Sequence, residues 1–83
     1  MGTETVQLTV FDISKFYSIW ETSLFLGAKL LNYDNSSWRG PWYLVFNVEK
    51  GKGDEFEQGL LDSFGDAVSV NRSEAVPLIS GAD

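Results

Sequence analysis

Val6, Leu8 and Val10 alternate with Thr5, Gln7 and Thr9 near the start of the chain. A period of two built from β-branched residues predicts a strand with one buried and one solvated face. Asp12 follows, with a carboxylate that suits the free N–H groups of a first helical turn. From Ile13 the period lengthens: Ile13, Phe16, Tyr17, Trp20 and Leu24 share one face at about 100° per residue, which predicts an amphipathic helix. Gly27 is its natural stop, because glycine takes the left-handed conformation cheaply. Ile19 and Leu26 lie about 100° or more from the centre of that face. They are expected to form an apolar shoulder, covered either by a partner or by Val76, Leu78 and Ile79 of the chain's own end.

The second half repeats the alternation of periods. Ala28 to Tyr33 predicts a strand, and Asp34-Asn35-Ser36-Ser37 is turn chemistry. Arg39-Gly40-Pro41 adds a second break before Trp42 to Val48, the densest run of aromatic and β-branched residues. Gly51-Lys52-Gly53 reads as a connector, and Asp54 with Glu57 resembles a capping box. The helix beyond is expected to bury Phe56, Leu60, Leu61 and Phe64 and to stop at Gly65. Val68 and Val70 mark a strand over Ala67 to Arg72. Val76-Pro77-Leu78-Ile79 reads as an edge strand or a docked tail, with Ser80 to Asp83 fraying. The order β-α-β-β-α-β predicts an α+β, ferredoxin-like domain, an antiparallel four-stranded sheet with two helices on one face. A sandwich with the tail as a fifth strand is the runner-up.

Eighty-three residues allow one domain. A chain of this size buries only about 60% of its unfolded surface, so most large apolar residues are needed inside. The hydrophobic share of 43% makes a globular domain the expectation. Twelve acids against six bases leave a formal charge of −6. With neither Cys nor His in the sequence, thiol catalysis, disulfides, zinc-finger chemistry and imidazole acid–base work are excluded for these residues. The first residues carry no basic leader and no run of 18 apolar residues occurs, so neither a signal peptide nor a membrane span is expected. Val6 stands where a myristoylation motif prefers Ser or Thr, and two glycosylation sequons, at Asn35 and Asn71, matter only after secretion. A cytoplasmic setting is the default expectation.

Half of the acids lie between Glu49 and Asp66. Asp54, Glu55 and Asp62 fall with Gln58 on the outward side of the second helix, so a solvated acidic face is expected there rather than a metal site. Neither a calcium loop nor a Walker motif is present, and Asp54 and Glu55 would repel an anion from Gly51-Lys52-Gly53. Ser and Thr hydroxyls lack a neighbouring base, and Lys15, Lys29, Lys50 and Lys52 occupy polar or loop positions. No enzyme and no cofactor is expected.

Arg39-Gly40-Pro41-Trp42-Tyr43-Leu44-Val45-Phe46 resembles the RNP1 segment of the RNA-recognition motif family. Arg39, Gly40, Tyr43, Leu44 and Phe46 match the pattern, whereas Pro41 and Trp42 depart from it. The resemblance implies the same order of strands and helices and RNA stacked on the sheet. Pro41, however, replaces a base-stacking ring, strand one offers only Thr5, Gln7 and Thr9 on its solvated face, and an acidic chain suits a phosphate backbone poorly. Nucleic acid is therefore not the expected partner.

The remaining aromatic excess centres on Trp38. Trp38 and Arg39 belong to the residue types most enriched at binding hot spots and stand together beside turn residues. The expectation is a non-catalytic protein-interaction module with an acidic surface, acting as a small inhibitor or adaptor at another protein's basic or apolar site, with no membrane partner. Its contact residues are expected to be Trp38, Arg39, Asp54, Glu55, Asp62, Ile19 and Leu26. A ligand-binding or dimerising regulatory domain, able to form a homodimer, is the alternative, and an RNA binder of the RNA-recognition-motif kind is the third reading.

Overall fold

Alternating apolar residues become four strands, and the two helical periods become two helices, in the order the sequence predicts. The computed structural model describes residues 2–74. Strand β1 spans Thr3–Val10, β2 Lys29–Asp34, β3 Trp42–Glu49 and β4 Val68–Glu74, while helix α1 spans Phe16–Phe25 and α2 Gly53–Phe64. The sheet order is β2-β3-β1-β4 and every pairing is antiparallel. This is the ferredoxin-like β-α-β-β-α-β arrangement, with each helix joining consecutive strands that are not neighbours in the sheet. The segment Val76 to Ile79, expected as an edge strand or a docked tail, lies outside the described residues.

Period two places Val6, Leu8, Val10, Leu44, Phe46 and Val48 on one face of the sheet, and all six are buried. Both helices pack there: Phe16 of α1 meets Trp42 edge-on at 4.9 Å, and Phe56 of α2 meets Phe46 at 6.0 Å. The other face carries Thr5, Gln7, Thr9, Tyr43, Val45 and Asn47, and among the described residues no helix covers it.

The helix face differs from expectation. Asp12 does cap, accepting from the Ser14 N–H at 3.2 Å, but the turn it starts is a short 3₁₀ segment over Ile13–Lys15. The α-helix proper begins at Phe16, and its buried residues are Phe16, Ile19 and Ser23. The face is thus turned by roughly 80° relative to the one that period 3.6 predicts from Ile13. Ile19 is fully buried in the core, so the expectation that it forms part of an exposed shoulder is corrected. Tyr17 and Leu24, expected in the core, are 60% and 48% exposed. Ser23 tolerates full burial because its hydroxyl donates to the Ile19 carbonyl at 2.8 Å.

The second helix keeps its predicted face, with Phe56 and Leu60 buried, Leu61 and Phe64 packed against the core, and Gly65 at the C-cap. The capping box does not form. Lys52 occupies the N-cap without a side-chain bond, and the carboxylates of Asp54 and Glu57 turn instead to Arg72.

Candidate functional site

The connection from β2 to β3 begins with an Asx turn: Asp34 accepts from both the N–H and the hydroxyl of Ser36, at 3.0 and 2.7 Å. Both donors favour the ionised form, and they hold the Asp34 carboxyl below its ordinary value. A second turn follows, in which the Gly40 N–H donates to the Ser37 carbonyl at 3.1 Å. Gly40 has φ +80°, and a Cβ there would collide with the Ile13 side chain, so glycine alone fits. The Gly40-Pro41 peptide is cis. The indole N–H of Trp42 donates to the Ser37 carbonyl, tying the loop to the first residue of β3.

These bonds leave Trp38 outside the sheet, 80% exposed. The exposure of Trp38 that a contact role requires comes from the two turns that precede β3. The Arg39 guanidinium sits 5.1 Å from the centre of the Trp38 ring, a cation–π contact that restrains this exposed side chain.

Asp54, Glu55 and Asp62 all face solvent on α2. Their charges are not equivalent. Asp54 meets the Arg72 guanidinium at 2.5 Å, and Asp62 accepts from Gln58 Nε2 at 2.9 Å. Arg72 also contacts Glu4 at 3.2 Å and Glu57 at 3.3 Å, and the three carboxylates, Asp54 foremost and then Glu57, push its pKa up. One guanidinium thus gathers three carboxylates from β1 and α2, and among the described residues no carboxylate cluster is arranged to hold a metal ion.

The expected contact residues do not form one site. Trp38 and Arg39 precede β3 and α2 follows it, so the length of an eight-residue strand, roughly 23 Å at about 3.3 Å per residue, lies between the loop and Asp54. Leu26, 41% exposed, packs beside Gly59 of α2 and lines a depression of about 250 Å³ with Gly27, Val48 and Phe56. Ile19 lies beneath, out of reach of any partner.

Sequence reasoning missed a second apolar surface. Tyr17 stacks on Trp20 at 6.0 Å, Trp20 meets Tyr33 of β2 at 5.3 Å, and Tyr17, Trp20, Glu21 and Leu24 line another depression of about 250 Å³. The only available signal was the surplus of apolar residues over what one helix face can bury. On the open sheet face Tyr43 stands opposite Thr9, and its neighbours Val45, Asn47 and Gln7 add no second aromatic ring beside it. No protein-family model matches this chain, and no curated protein matches it.

Proposed function

We propose that this domain is a non-catalytic protein-interaction module that inserts Trp38, braced by Arg39, into an apolar pocket on a partner with a basic surface. The observation that carries the reading is the Trp38 ring, 80% exposed and stacked under its own neighbour's guanidinium, on a loop tied down at both ends. A tryptophan that packs against no core costs free energy in water, whereas a restrained one loses little entropy on binding. The acidic helix face and the net charge of −6 act at longer range, steering a basic partner toward the loop. The partner site is basic and apolar, the setting is the cytoplasm, and the mode of action is occupancy rather than chemistry.

The test is affinity capture from the native host with the wild-type chain and with Trp38→Ala, at low and high salt. A protein retained by the wild type, released by salt and lost with Trp38→Ala supports the reading. Titration of the purified partner should then show a loss of roughly 2 kcal/mol or more for Trp38→Ala. Retention that Trp38→Ala leaves intact, or capture of nucleic acid in place of protein, overturns it.

A further inference from the structure

Strand β2 lies at the edge of the sheet, and among the described residues nothing pairs along its outer side. Its sequence, Lys29-Leu30-Leu31-Asn32-Tyr33-Asp34, is complementary to itself when run antiparallel. Lys29 then faces Asp34 of a second copy, Leu30 faces Tyr33, and Leu31 faces Asn32. Residues directly opposite each other in a sheet must share a face. In a regular strand residues 29 and 34 would point to opposite faces, and so would residues 30 and 33. That would forbid the pairing.

The register shift between Leu30 and Asn32 removes the conflict. Lys29 pairs with Asn47 and Asp34 with Tyr43, which puts both charges on the open face. Leu30 pairs with Phe46 and Tyr33 with Leu44, which puts both apolar residues on the helix side. A bulge on an edge strand commonly blocks further pairing; here it brings the two halves of the strand into the same parity. We propose that two copies of this chain associate about a two-fold axis at Leu31 and Asn32, joining their β2 edges into one eight-stranded antiparallel sheet.

Three further observations fit this occupant. The strand carries one positive and one negative charge in a chain of net charge −6, so the seam is the locally neutral place where two acidic copies approach without repulsion. Tyr33 and Leu31 are 48% and 52% exposed and would be covered across the seam, in continuity with Tyr17 and Trp20 of α1. The Tyr33 N–H is satisfied in the single chain by the Asn32 side-chain oxygen at 2.8 Å. That local bond keeps the edge soluble alone and is exchanged for a backbone carbonyl when the second strand arrives.

The experiment is analytical ultracentrifugation of the full chain over a broad concentration range, with circular dichroism to show that each variant folds. The wild type should sediment as a monomer–dimer equilibrium. Lys29→Asp and Asp34→Lys each place like charges opposite one another and should weaken dimerisation by roughly tenfold or more. An equimolar mixture of the two variants should restore it, because every Asp then meets a Lys. Asp34→Lys also removes the Ser36 turn; if it fails to fold, Lys29→Asp alone carries the test, since no hydrogen bond of the Lys29 side chain is lost. A wild type that stays monomeric, a dimer indifferent to Lys29→Asp, or folded variants whose mixture does not associate overturns the proposal. Trp38→Ala should leave the dimer intact, which separates this test from that of the binding loop.

Discussion

Arg72 on β4 donates through Nε to Glu4 on β1 at 3.2 Å, across 68 residues of chain. Glu4 is only 13% exposed in its side chain and also accepts from the Gly51 N–H at 3.3 Å, so it links the loop before α2 to the far edge of the sheet. Asp54 and Glu57 complete the arrangement from above. The bonds that a capping box would have made within α2 are thereby replaced by bonds that fasten α2 to β4.

Removing the cation should expose this dependence. Arg72→Met leaves Glu4, Asp54 and Glu57 close together with no positive charge among them, and its melting temperature should fall below that of the wild type. Added salt should narrow the difference, because screening relieves repulsion between carboxylates. Arg72→Lys should recover only part of the loss, since an ammonium lacks the forked donors that serve three acceptors. Thermal melts at low and high ionic strength check this; superimposable curves for Arg72→Met and the wild type would refute it.

The phase of α1 gives a second expected outcome. Ile19→Ala empties a fully buried position and should cost about 2–5 kcal/mol of folding free energy. Leu24→Ala, on the face that the spacing from Ile13 would have buried, should cost under about 1 kcal/mol because the side chain is half exposed. Denaturant titration of both variants decides the matter. The reverse ranking would return the helix to its sequence-predicted face.

Acid titration supplies a third. The Ser14 hydroxyl, and then its N–H, hold the Asp12 carboxyl below its ordinary value of 3.8, and Ser36 does the same for Asp34. A carboxyl whose pKa is lower folded than unfolded stabilises the fold above the unfolded value and loses that contribution as pH falls through the folded one. Stability should therefore decline from about pH 4 downward. The combined Asp12→Asn, Asp34→Asn variant should show a shallower acid limb in melts recorded between pH 5 and pH 2. An acid limb as steep as that of the wild type would show that other groups govern it.

Local chemistry in the sequence determined the elements. Alternating β-branched residues made β1 and β3, Asp12 capped the turn after β1, Asp34 turned the chain after β2, and Gly65 ended α2, each through bonds or conformations spanning a few residues. The order of these elements was enough for the ferredoxin-like arrangement, because right-handed crossovers leave few ways to join them. Position relative to distant residues was another matter. The face of α1 depended on where a 3₁₀ turn ended, and one residue of phase decided that Ile19 went inward and Tyr17 outward. Asp54 and Glu57 looked like a cap from four adjacent residues, yet their partner Arg72 arrives from another strand. The bulge in β2 exists only as a register against β3. Contacts between residues close in sequence are encoded by spacing alone. Contacts between distant residues exist only once packing has brought them together, and there tertiary structure overrode the local signal.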